Sequence, residues 1–243
     1  MYRYADELDR SMFWRMPRSI VTDGIWATLP QAAQAVLPVY GAYMNLGTGL
    51  SFPDELTLAA LCGASPKICR AGRNAIVDVI PGVTDEQYTS PRGRRAWRLR
   101  FARQAGTGRA AWKAFYRCVL HGGNWAHLRM TDGAGPTAQA LYVAMLAFAY
   151  ATADALLEDE TAADPTTPES FGGHPFELCE AERAVLLDAA GITRRSFAPA
   201  LASLQRNHLV ELDEELGAWR VYRIPPKRFR PSYLNAKLKE RGL

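Results

Sequence analysis

A chain of 243 residues, 48% of them hydrophobic, can bury one large core or two of roughly 100 to 120 residues each, and it is too apolar to stay disordered throughout. The formal charge is only +4 but unevenly spread: residues 1–113 hold 15 Lys and Arg against 9 Asp and Glu, residues 114–180 hold 2 against 9, and residues 181–243 hold 12 against 7. Two basic ends around an acidic middle suit anionic ligands, while four cysteines (Cys62, Cys69, Cys118, Cys179) without a CxxC pair exclude a disulfide framework and read as buried thiols in a reducing cytosol.

Residues 1–12 read as a charged arm or short helix, with no apolar h-region of a signal peptide. Ser19 to Leu29 reads as a lead-in helix, and Gln31 to Asn45 as a helix in which Pro38 predicts a kink. After the loop Leu46–Gly49, Ser51-Phe52-Pro53 opens a helix whose Leu56, Ala59, Ala60 and Leu61 face inward. Gly63-Ala64 makes a turn, and Ser65-Pro66 starts the next helix with a hydroxyl cap and a first-turn proline. In that helix Ile68, Gly72, Ala75, Ile76 and Val79 form an apolar face. Lys67, Arg70, Ala71 and Asn74 form another, which with Arg73 carries the residue types that reach base edges and phosphates. Gln87 to Phe101 then reads as a β-wing, with Arg92, Arg94, Arg95, Arg98 and Arg100 around Trp97; five like charges so close repel unless they meet an anion.

Residues 102–111 read as a linker, and the chain beyond it repeats the first half in order. Phe115-Tyr116-Arg117 echoes Phe13-Trp14-Arg15, Trp125 echoes Trp26, Gln139-Ala140 echoes Gln34-Ala35, and Gly191-Ile192-Thr193 falls where Gly63-Ala64-Ser65 fell. The apolar run Ala138 to Leu157 contains Gln139, Thr152 and Asp154 and resembles a buried helix more than a membrane span. Glu158 to His174 is an acidic insertion with the composition of an unpacked loop. Thr193 suits a helix cap, with Arg194 and Arg195 where base readers belong. Pro199 fits better if Ser196 is the cap, which leaves two starts open. His208 to Leu212 and Trp219 to Ile224 form a second ribbon carrying Arg220 and Arg223, followed by a basic run (Lys227, Arg228, Arg230) and a tail helix.

The order helix, turn, helix, ribbon, found twice, predicts a mainly α fold with small β-wings (α+β): two tandem winged helix-turn-helix domains. They are assigned to residues 1–104 and 112–231, with the insertion at 158–174 and a basic C-terminal tail helix at 232–243. The predicted DNA contacts are Ser65, Lys67, Arg70, Arg73, Asn74, Arg92, Arg94, Arg95 and Arg98 in the first copy. In the second they are Thr193, Arg194, Arg195, Ser196, Arg220 and Arg223. Four scattered histidines lack metal spacing, no catalytic or nucleotide-binding motif is found, and Asp54-Glu55 and Asp85-Glu86 read as helix-start and turn carboxylates. A soluble cytoplasmic protein without enzyme activity, metal or cofactor is expected, with double-stranded DNA as its partner and no membrane.

The segments PRSIVTDGIWATLPQAAQAVLPVYGAYMN and FPDELTLAALCGASPKICRAGRNAI resemble the helix-turn-helix replication-initiator-like proteins of bacterial plasmids and phages, most clearly over residues 13–80. The tandem repeat is similar to their two winged helices. The resemblance implies binding of short repeated origin sequences as monomers, with host replication proteins as partners, and in some members a homodimer that represses its own promoter. Carried over, it concerns Ser65, Lys67, Arg70 and Asn74 in the first recognition helix and Thr193, Arg194 and Arg195 in the second; the acidic insertion and Pro199 depart from the pattern. The alternatives are a transcriptional regulator and a tandem winged-helix scaffold that binds protein.

Overall fold

The computed structural model describes residues 13–45, 47–51, 53–89, 95–102, 111–130, 134–150 and 176–225. The N-terminal arm, Arg92 and Arg94, most of the linker, the acidic insertion 158–174, and the C-terminal basic run and tail lie outside the described residues.

The fold is mixed α/β with small sheets, and the chain lays down one series of elements twice. The first series is β1 (Phe13–Pro17), the short helices α1 (Ser19–Thr22) and α2 (Ile25–Thr28), the long helix α3 (Gln31–Ala42), β2 (Leu50–Ser51), α4 (Glu55–Cys62), α5 (Pro66–Val79) and the hairpin β3 (Val83–Thr89) and β4 (Arg95–Phe101). The second is β5 (Trp112–Tyr116), α6 (Arg117–His121), α7 (Asn124–Met130), α8 (Pro136–Phe148), β6 (Phe176–Cys179), α9 (Arg183–Ala190), α10 (Arg194–Arg206) and the hairpin β7 (Val210–Asp213) and β8 (Ala218–Tyr222). Both three-stranded sheets are antiparallel and share one order, β2-β4-β3 and β6-β8-β7. Isolated bridges at matching places, Met44 with Ser51 and Tyr150 with Leu178, carry the same pattern further. No described helix is long and apolar enough to cross a membrane.

The helical corner recurs with a constant offset. Gly63 and Gly191 end α4 and α9 in the left-handed conformation, at φ 64° and 65°, where a side chain would be strained. Ser65 and Thr193 then cap α5 and α10, accepting from the backbone N–H of Ile68 (3.4 Å) and Ser196 (3.3 Å). Both pairs are 128 positions apart. The helix start at Ser196 is therefore corrected: Thr193 is the cap, and Pro199 lies inside α10. Its ring removes the bond that the Arg195 carbonyl would have received, on the exposed side of the helix, where water can donate to that carbonyl instead.

Three further expectations shift in detail. The lead-in helix splits at Gly24 into α1 and α2. Helix α3, expected to reach Asn45, ends at Ala42, and with Pro38 inside it burial of residues 33–42 offsets the bond lost at the Gln34 carbonyl. The first wing begins at Val83, not Gln87, because the Val83 side chain is buried and its backbone pairs with Phe101.

Both halves contribute to one buried core, and they meet through reciprocal contacts. β1 pairs antiparallel with β5, Trp14 lying opposite Phe115. The buried indole N–H of Trp26 donates to the Ala140 carbonyl (3.2 Å), and that of Trp125 donates to the Ala35 carbonyl (2.9 Å). Within each half the amide of Gln34 donates to the Trp26 carbonyl (2.9 Å) and that of Gln139 to the Trp125 carbonyl (2.8 Å). An indole N–H removed from water is stabilised by an acceptor. Each half supplies one to the other, so the echoes of Trp26 and Gln34 in the sequence mark equivalent places about an approximate two-fold axis.

Candidate nucleic-acid interface

Helix α5 is divided sharply by burial. Cys69, Gly72, Arg73 and Ile76 point inward, and Gly72 lies so near α3 that a Cβ there would sit 2.3 Å from the Ala32 carbonyl oxygen. The outer face presents Lys67, Arg70, Ala71 and Asn74, with Ser65 exposed at the cap. Lys67, Arg70 and Asn74 therefore share one surface about 10 Å long, at 1.5 Å of rise per residue. The Arg70 guanidinium is held by Glu55, the first residue of α4, through Nε to Oε1 (3.2 Å) and Nη2 to Oε2 (3.0 Å).

Arg73 does not join that surface. It is only 5% exposed, its guanidinium carbon lies 4.5 Å from the centre of the Trp97 ring, and its Nε is 3.9 Å from Asp85. Its Nη2 donates to the Asn74 side-chain oxygen (3.2 Å). The assignment of Arg73 as a DNA contact is corrected accordingly: it braces α5 against the β3–β4 hairpin and orients Asn74, and its inward position at i+4 from Cys69 is the physical reason.

On the hairpin, pairing of β3 with β4 sets Glu86 opposite Arg98. Glu86 takes two of the three arginines of this strand: Arg100 Nε donates to Oε1 (2.7 Å) and Arg98 Nε to Oε2 (3.0 Å). These bonds, from Arg100 and then Arg98, hold the Glu86 carboxyl below its ordinary range. Like-charge crowding between Arg98 and Arg100 is thus offset in part by the one carboxylate they share. Arg95 lies in β4 opposite Thr89, and its side chain is outside the described residues.

The second half differs in chemistry. Thr193, Arg194 and Arg195 are exposed at the start of α10, and Ser196 is half-buried, its hydroxyl bonded to that of Thr193 at 2.7 Å. At the common offset, Arg70 corresponds to Ala198, Asn74 to Ala202 and Glu55 to Arg183. Arg183 lies over the Phe197 ring at 5.0 Å and donates to the Arg194 carbonyl (3.2 Å). Arg220 is bound by Asp213, with Nε at 2.9 Å and Nη2 at 2.7 Å, and this pairing holds the Asp213 carboxyl low.

Arg223 is 8% exposed and pairs with Glu177 (3.0 Å), which also meets Lys113 (2.8 Å). Its assignment as a DNA contact is corrected: it closes a buried ionic group between β5, β6 and the end of β8. The second hairpin is acidic, with Glu211, Glu214 and Glu215 exposed beside Leu212 (44% exposed) and Leu216 (59%).

Sequence reasoning therefore missed the acids that set these arginines: Glu55, Asp85, Glu86, Glu177 and Asp213. Asp54 does cap α4, accepting from the Thr57 N–H at 2.7 Å, but its neighbour Glu55 serves Arg70. The detectable signal was the Asp85-Glu86 pair ahead of an arginine-rich strand, which acquires meaning only with the register. All four cysteines are buried and outside any disulfide, and burial pushes the Cys62 and Cys179 thiols up. Among the described residues no group of three or more His, Cys, Asp and Glu gathers as a metal-binding set. His121 instead bonds the Tyr43 hydroxyl (3.0 Å). No protein-family model, curated protein or solved structure matches the chain.

Proposed function

We propose that the chain is a sequence-specific double-stranded DNA-binding protein of two winged helix-turn-helix units, with α5 and α10 as their recognition helices, acting as an initiator of plasmid or phage replication. The observation that carries this reading is the outer face of α5. Lys67 and Arg70 are donors matched to guanine O6 and N7, and Asn74 is matched to adenine N6 and N7. They project from a capped helix that follows a tight turn and precedes a hairpin, and a helix so placed can enter a major groove. Support for initiation comes from the resemblance over residues 13–80.

The first test is selection of bound duplexes from a random pool, followed by a salt series. If on the order of 6 to 10 phosphates are neutralised, affinity falls by roughly 10³ to 10⁵ between 50 and 200 mM salt. A flat salt response with no selected sequence overturns DNA binding. The second test is replication of a plasmid whose only origin is the selected site, in cells supplied with the chain. Promoter repression without replication would identify a transcriptional regulator.

One observation favours a protein-binding scaffold instead: the second hairpin, with exposed Leu212 and Leu216 among carboxylates, is unsuited to phosphate. Under that reading duplex affinity is absent even at 50 mM salt.

A further inference from the structure

The two copies of the helical corner differ at a matched pair of positions. In the first copy Glu55 opens α4 and Arg70 lies on α5, and their side chains are joined by two hydrogen bonds. In the second copy the equivalent positions hold Arg183 and Ala198, so carboxylate and arginine are absent together. An acid kept only to complement the positive end of the first helix would be wanted in both copies. Glu55 is retained where there is an arginine to hold.

The geometry of the pair says what the holding accomplishes. Glu55 occupies the side edge of the guanidinium, taking Nε–H and one N–H of Nη2. A guanidinium has five N–H donors, so three remain: both on Nη1 and the second on Nη2. One on Nη1 and the second on Nη2 form the end-on edge, whose two parallel donors match guanine O6 and N7. The Arg70 side chain remains 57% exposed with Glu55 bound to it. A free arginine would lose much side-chain entropy on being fixed against a base edge, and a phosphate accepts it in many orientations, so fixing it in advance favours the base.

We propose that Glu55 is a positioning residue that presents the end-on edge of Arg70 to a guanine, and that this pair gives the first recognition helix a base preference the second lacks. The inference rests on the DNA-binding reading above and assigns a specificity role to a residue that need not touch DNA.

The test compares the full chain with Glu55→Ala, Arg70→Ala and the double variant, each put through selection on randomised duplexes and then measured on the selected duplex and on an unrelated one. Arg70→Ala identifies the base pair that Arg70 reads. Glu55→Ala should relax preference at that same pair by about tenfold, within the range a bidentate base contact provides. Affinity for the unrelated duplex should hold or tighten by a few-fold, because a carboxylate near phosphate has been removed. In the Arg70→Ala background, Glu55→Ala should change the selected sequence no further. A general structural role would weaken both duplexes alike and lower the melting temperature.

The proposal is overturned if Glu55→Ala tightens both duplexes equally with the selected sequence unchanged, since Glu55 would then only repel DNA. It is equally overturned if nothing changes, or if preference shifts at a different base pair. A wild-type chain that selects no sequence overturns the DNA-binding reading itself, and the inference falls with it.

Discussion

Replacing Arg223 by Met separates a buried ionic group from a phosphate contact. Arg223 and Glu177 are 9% and 7% exposed at their side chains and 3.0 Å apart, and Lys113 meets the other Glu177 oxygen at 2.8 Å. Removing one partner of a buried pair costs about 3–5 kcal/mol when the remaining charge is left alone. Lys113 stays, so Glu177 keeps one cation, and the expected loss lies at about 2–3 kcal/mol. Met fills much of the volume of the arginine stem, which limits any cavity. It does give up the guanidinium lying 5.8 Å from the centre of the Tyr116 ring, worth about 0.5–1 kcal/mol. For a chain of this size each kcal/mol shifts the melting temperature by about 2–4 °C, which predicts a fall of roughly 5 to 15 °C. Thermal unfolding followed by circular dichroism measures it, and a salt series on duplex DNA supplies the second readout. The salt slope should be unchanged. A melting temperature equal to wild type together with a slope smaller by about one phosphate would refute the burial argument and return Arg223 to the DNA surface.

Gly72→Ala sets two opposed effects against each other. Alanine gains about 1 kcal/mol of helix propensity, but its Cβ would lie 2.3 Å from the Ala32 carbonyl, a backbone contact that cannot swing aside, and overpacking costs about 1–3 kcal/mol. Net destabilisation is expected by chemical denaturation, and a stabilised variant would show that α3 and α5 are not packed this closely. Trp26→Phe and Trp125→Phe each delete a buried indole bond to the other half, and each should cost about 2 kcal/mol. A large loss from one with none from the other would contradict the two-fold relation.

Glu86→Gln should release Arg98 and Arg100, raising affinity for all duplexes alike and steepening the salt dependence; unchanged affinity would mean the pair is not near phosphate. Its folded pKa is depressed, so its pairing stabilises the hairpin above the unfolded carboxyl value and loses that contribution as pH falls through the lower folded one. Wild-type affinity should consequently rise on acidification through that window more than that of Glu86→Gln.

Much of the fold was legible in local signals. Apolar spacing, the glycines at 63 and 191, and the hydroxyl residues at 65 and 193 announce helix, turn and helix, because periodicity and capping act within a few residues. The echoes of Trp26 at Trp125 and of Gln34 at Gln139 announced a duplication that the paired hydrogen bonds bear out. Burial on the reading helix was harder. Arg73 looks like its exposed neighbours in the sequence, yet one step of 100° turns it toward Trp97.

The amino-acid sequence by itself determined that the unit occurs twice and where the second helix of each corner begins, since capping and periodicity act between residues close in the chain. It did not place the start of α4, which is capped by Asp54 and not opened at Ser51, nor the side chain of Leu56, expected inward and 61% exposed. Tertiary structure alone decided which arginines remain available. Glu55 meets Arg70 fifteen positions away, Glu86 meets Arg98 across a hairpin register, and Glu177 meets Lys113 and Arg223 from three separate strand regions. A charge's value at a surface depends on its distance to the opposite charge and on the water around both, and neither quantity exists until the chain has folded.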